Sequence, residues 1–227
     1  MYSKILGEID AVAFDIDGTL YRESKLNIRI IPYFLSHIIF FSKYGLARKE
    51  LRRVDYYPDF NKAQAELMGK YLKCTPEKAQ EKLDRIVYNG LKKYFTRFNA
   101  CRNALELIVR LKEQGVKIAV LSDFPPDQKG DIWGIREHCD VVVGSEEIGA
   151  LKPSTKVFST LSEKLKTPAE KILYVGNHHR YDVIGPKNAG MKAAWIISPV
   201  KAFFGKKSKA ADVTFSRYSQ LEQILFD

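Results

Sequence analysis

Asp15 and Asp17 stand two positions apart where the apolar run Ala11-Val-Ala-Phe14 ends. Other apolar runs also stop at residues able to do chemistry. Ile118-Ala-Val-Leu121 runs into Ser122 and Asp123, Val141-Val-Val143 is followed by a loop holding Lys152, and Ile172-Leu-Tyr-Val175 leads to Asn177 and Asp182. A carboxylate pair, a hydroxyl, an ammonium and a further carboxylate suit a phosphoryl group held by a divalent cation. Carboxylates bind the hard metal, while hydroxyl, lysine and metal together offset the phosphate oxygens.

Such residues need elements that bring them to one place. Runs this short, apolar on both alternating faces, read as strands buried on both sides, the habit of parallel sheets; Ala193-Ala-Trp-Ile-Ile197 adds a fifth. Helical patterns lie between them. One spans Ala100 to Gln114, with Asn99 as N-cap and Gly115 as stop; others span Ser154 to Lys166, Tyr181 to Asn188 and Ser219 to Phe226. The alternation predicts an α/β protein with a doubly wound, Rossmann-like parallel sheet, in which ligands gather at the carboxyl ends of the strands. Residues 22–98 break it with helical patterns alone, at Ile30 to Lys43, Asn61 to Lys73 and Pro76 to Phe95, the last opened by Thr75. The expected organisation is a core of residues 1–21 and 99–227 with an inserted α-helical cap at 22–98.

The segment Phe14-Asp-Ile-Asp-Gly-Thr-Leu20 resembles the first motif of the haloacid dehalogenase-like hydrolases. Leu121-Ser-Asp123 resembles their second, Gly149-Ala-Leu-Lys-Pro153 their third and Val175-Gly-Asn-His-His-Arg-Tyr-Asp182 their fourth. The resemblance covers residues 8–20 and about 100–198 and is to the phosphatase branch with a helical cap after the first strand. It implies Mg²⁺-dependent hydrolysis of a small phosphomonoester through an aspartyl-phosphate. Asp15 would be the nucleophile, and Asp17 would protonate the leaving alcohol and then take a proton from water. Ser122 would bond a phosphoryl oxygen, with Gly18, Thr19 and Asp123 beside it, and Lys152 would offset charge on nucleophile and phosphoryl group. Asp15, the Asp17 carbonyl, Asn177 and Asp182 would hold Mg²⁺. Gly18 permits a sharp turn in which Asp17 can swing, pinned by Thr19, while Asp123 also has the plain reading of a turn cap. Dehalogenating members lack the second aspartate, so Asp17 favours phosphate-ester chemistry; a phosphomutase is less favoured, since the cap shows no sugar-phosphate signature. Asn177 departs from the family pattern, which has a carboxylate there, and the lost charge should weaken metal binding. The alternative is a low-turnover phosphate-binding or regulatory protein of the same fold.

The 227 residues carry 37 Lys and Arg against 27 Asp and Glu, and residues 21–100 alone hold 17 against eight, a surplus of nine. That charge fits a cap that meets a small phosphorylated metabolite, since positive potential steers anions. Nucleic acid is disfavoured, because no recognised module or stacking platform appears. The apolar run Ile30 to Phe41, between basic Arg22, Lys25, Arg29 and Lys43, Arg48, Lys49, Arg52, Arg53, suits an interfacial helix on an anionic membrane surface. The favoured reading is a cap helix that buries its apolar side. The longest uncharged stretch, Ile30 to Ser42, is short of the roughly 20 apolar residues of a spanning helix. Three cysteines without C-x-x-C spacing, and no basic-then-apolar leader in Met1 to Asp10, point to a reducing, cytoplasmic setting. Zinc at His178 and His179 is disfavoured, and no nucleophile-elbow, dinucleotide or P-loop motif occurs. Nothing in the sequence sets the oligomeric state.

Overall fold

A computed structural model describes residues 1–95 and 100–227. A small antiparallel ribbon, β1 (Tyr2–Ser3) and β2 (Gly7–Glu8), leads into β3 (Ala11–Phe14). The chain continues through helices α1 (Glu23–Ser36), α2 (Ile38–Leu51), α3 (Phe60–Leu72), α4 (Pro76–Leu83) and α5 (Asn89–Phe95). It then forms α6 (Ala104–Glu113), β4 (Lys117–Ser122), β5 (Val141–Gly144), α7 (Ser145–Ile148), α8 (Thr155–Leu165) and β6 (Ile172–Gly176). Last come α9 (Gly185–Asn188), β7 (Lys192–Ile196), α10 (Pro199–Phe203), β8 (Val213–Phe215) and α11 (Tyr218–Phe226). Strands β5-β4-β3-β6-β7-β8 make one sheet in that order, every pair parallel, so β3 with its two aspartates lies in the interior of the sheet.

Alternation along β3 explains why both faces are covered. Val12 and Phe14 join one core with Leu107, Leu111, Leu221 and Leu225 of α6 and α11, while Ala11 and Ala13 join the other with Val157, Phe158 and Leu161 of α8. The doubly wound architecture is as the sequence predicts. Asn99 and the 98/99 boundary lie outside the described residues. Thr75 caps α4 as expected, accepting from Lys78 N.

Two predicted helices are divided. The single helix expected from Ile30 to Lys43 is two, α1 and α2, bent by 98°. The Tyr33 carbonyl accepts from Ser36 Oγ at 2.9 Å and lies 3.0 Å from His37 Nδ1, so side chains replace helical partners at the break. The helix expected from Pro76 to Phe95 is interrupted by a π-helical turn, Asp84–Tyr88. Residues 179–184 form a second π-helical turn, which opens the predicted helix 181–188.

Candidate active site

Lys152 Nζ lies 2.7 Å from Asp15 Oδ1 and 2.7 Å from Asp182 Oδ1. All three side chains are buried, so one ammonium bridges the end of β3 to the turn after β6. Burial works against charge on Lys152, but Asp15 and Asp182 outweigh it and hold its pKa well above the ordinary value. Burial pushes the Asp15 carboxyl up; Lys152 pulls it back, Asp182 and Asp17 add to the rise, and it stands at about 8. The second oxygen of Asp182 accepts from His178 N at 2.8 Å. Gly176 makes this possible, because a Cβ there would collide with the Asp182 side chain.

Asp17 leaves the strand on a turn closed by Gly18 at φ +80°. Its oxygens are held by three groups. Tyr21 OH donates to Oδ1 at 2.7 Å, and Ser122 Oγ and Lys129 Nζ approach Oδ2 at 3.3 and 3.1 Å. Thr19, expected to pin Asp17, instead donates its hydroxyl to Asp15 Oδ2 at 2.9 Å, because the turn carries it back to the end of β3. Asp123 Oδ1 accepts from Ser145 Oγ and Lys152 N, and its Oδ2 pairs with Arg52. It anchors the loop that presents Lys152 and ties that loop to α2.

Four functional side chains escaped the sequence reading. Tyr21 and Lys129 hold Asp17, and Lys129 is fully buried against the rings of Phe95 and Phe124. Arg48 on α2 pairs with Glu146 and donates to Gln64 and the Asp123 carbonyl, while Arg52 reaches Asp123 and the Lys152 carbonyl and lies over the Tyr181 ring. The signal available was a basic cluster on α2; nothing in its spacing says that two of its members face the core.

Asn177 is half-buried at the end of β6, and its carbonyl accepts from Trp195 Nε1 at 2.8 Å. Among the described residues, no group of three or more His, Cys, Asp and Glu side chains converges in the manner of a metal cluster. Buried Asp15 and Asp182, with half-buried Asp17, nevertheless outnumber the ammonium of Lys152, and oxygen donors richer in carboxylate than in ammonium fit a hard divalent cation.

A family model described as haloacid dehalogenase-like hydrolase matches residues 12–196. A putative pyrophosphatase PpaX of Caldanaerobacter subterraneus is 26% identical over 96% of this chain and 95% of its own length. A glyceraldehyde 3-phosphate phosphatase of Methanothermobacter thermautotrophicus is 27% identical over 96% of this chain and 100% of its own length. Among solved structures, a HAD phosphatase from Thermococcus onnurineus superposes with a TM-score of 0.64 at 21% identity, covering 95% of this chain and 97% of that one. An L-2-haloacid dehalogenase from Xanthobacter autotrophicus gives 0.64 at 18% identity, covering 95% and 98%.

Proposed function

The chain belongs to the haloacid dehalogenase-like hydrolases, and on that premise we propose that it is a Mg²⁺-dependent phosphatase acting on a small phosphomonoester through an aspartyl-phosphate. The observation that carries this reading is the buried Asp15–Lys152–Asp182 bridge with Asp17 two residues beyond Asp15. Asp15 attacks phosphorus, forming an acyl-phosphate bond as the bond to the substrate alcohol breaks. Asp17 gives that alcohol a proton, then accepts one from the water that cleaves the aspartyl-phosphate and returns phosphate. Ser122 and Lys152 bond the phosphoryl oxygens. For this Asp17 must exchange Lys129 and Ser122 for the leaving group, and Gly18 provides the turn on which it moves. Asp15, the Asp17 carbonyl, Asn177 and Asp182 would hold Mg²⁺. The ion's contribution there is positive charge beside the nucleophile and the phosphoryl oxygens. Residues 22–98 act as the cap, joined to the core by the ion pairs of Arg48 and Arg52, and select the substrate.

The relatives named for phosphate chemistry support the phosphatase reading over dehalogenation, as does the presence of Asp17. Two observations favour a low-turnover phosphate-binding protein: both Asp17 oxygens are engaged, and Asn177 stands where the resemblance to the family's fourth motif implies a carboxylate. Hydrolysis of p-nitrophenyl phosphate across Mg²⁺ concentrations separates the two. Wild type should turn over with Mg²⁺ and Asp15→Asn should lose about 10³-fold or more; wild-type rates no higher than the variant's would sink the enzyme reading.

A further inference from the structure

Two regions outside the site present large apolar side chains to solvent close to basic ones. The first is the bend between α1 and α2. Ile28, Ile31 and Leu35 repeat at helical spacing along the outer side of α1, and Ile38 and Ile39 continue at the start of α2. All five are exposed, Ile28 at 73% and Ile39 at 72%. The expectation that this run buries its apolar side holds for the inner face alone, where Ile30, Phe40, Tyr44 and Ala47 pack. The second region is α10 with the turn after it. Phe203 and Phe204 are 86% and 79% exposed, and the exposed Lys201, Lys206, Lys207 and Lys209 surround them with no Asp or Glu from Ser198 to Ala211. Both regions leave the same rim of the sheet, since α1 follows the carboxyl end of β3, α10 follows that of β7, and these strands run parallel.

We propose that these two protrusions dock the protein on an anionic lipid bilayer. Their apolar side chains enter the boundary between headgroups and acyl chains, and the lysines meet the headgroup phosphates. Other occupants use less of what is present. A second copy would set the surplus of nine positive charges in residues 21–100 against itself. A nucleic acid would find Phe203, Phe204 and lysines, but at the bend of α1 and α2 Phe34, packed on Phe41, is the one exposed ring beside five exposed aliphatic side chains among the described residues, which is no stacking platform. The proposed contact is with the bilayer surface: among the described residues no single helix is long and apolar enough to cross a membrane, and the α1–α2 pair, which has the length and composition only when joined, is bent by 98°.

The proposal stands apart from the catalytic reading and is tested without it. The full chain is mixed with phosphatidylcholine vesicles, with and without phosphatidylserine, and floated at low and high salt. Wild type should float with the phosphatidylserine vesicles at low salt and lose about tenfold or more of its partition at high salt. The variants Leu35→Gln/Ile38→Ser/Ile39→Gln and Phe203→Ser/Phe204→Ser should each lose about tenfold, with unchanged melting temperatures because the replaced side chains are exposed. Absence of flotation with anionic vesicles, equal flotation with neutral ones, or variants that float as wild type does would overturn it. So would light scattering that finds a dimer which the first variant dissolves, or a single-stranded oligonucleotide whose binding both variants abolish.

Discussion

Asp123 and Asp15 are both buried carboxylates at strand ends, yet their neighbours drive them in opposite directions. Burial alone would raise the Asp123 carboxyl, but Lys152, Arg52 and Arg48 outweigh it and hold the pKa at about 2, below the 3.8 of an unperturbed aspartate. A carboxyl lowered on folding contributes stability that is present above its unfolded pKa and lost as pH falls through its folded one. The window is therefore about pH 4 down to about pH 2, and the contribution is about 2 kcal/mol. Asp123→Asn should lower stability by about that amount at neutral pH. In urea melts the gap from wild type should close as pH falls across the window. A gap that stays constant with pH would show that the charge of Asp123 is not what joins α2 to the loop holding Lys152. Asp15, raised by burial, needs a cationic partner to carry its charge, and Lys152 lies 2.7 Å away.

At the scale of elements, the loop between α2 and α3 meets the rest of the chain at Gly149. Its carbonyl accepts from Tyr57 N at 2.6 Å, its φ is +89°, and an added Cβ would collide with the Tyr57 carbonyl. Gly115 has φ +73° with nothing near an added Cβ. Gly115→Ala therefore reports the backbone strain alone, about 1 kcal/mol, while Gly149→Ala adds displacement of the loop between α2 and α3. Thermal melts should place Gly149→Ala several degrees below Gly115→Ala; equal shifts would mean that the Tyr57 contact adds nothing. The elements bearing the site were legible because each strand from β3 to β7 is a short apolar run, largely buried in β3, β4, β6 and β7 and half-buried at Val141 and Val142 of the edge strand β5. β8 was not, since Val213 and Phe215 flank Thr214 in a run of three residues. The division at His37 was missed because it depends on Ser36 and His37 reaching the Tyr33 carbonyl. Asp15, Lys152 and Asp182 could be read as strand-end residues, whereas Tyr21, Lys129, Arg48 and Arg52 act by reaching back from turns or another helix, and sequence spacing carries no record of that.

Over the whole molecule, the net charge of +10 is not delivered to the site by its nearest members. Arg48 and Arg52 are taken up by Glu146 and Asp123, and Lys129 by Asp17. Attraction of a phosphorylated substrate from a distance then depends on the exposed lysines and arginines of residues 21–100. Exposed charges are screened over about 10 Å at 0.1 M salt, while buried pairs such as Lys152 with Asp15 are screened far less. Salt should therefore raise KM for a dianionic phosphomonoester several-fold between about 0.02 and 0.5 M, with kcat nearly unchanged at saturating Mg²⁺. Replacing half-buried Lys43 and exposed Lys49 of α2 by Gln should flatten the salt dependence of KM while leaving its high-salt limit in place. A KM indifferent to salt would remove steering as the reason for the basic surplus of residues 21–100, and a kcat that falls with salt would point to the ion pairs of the site itself.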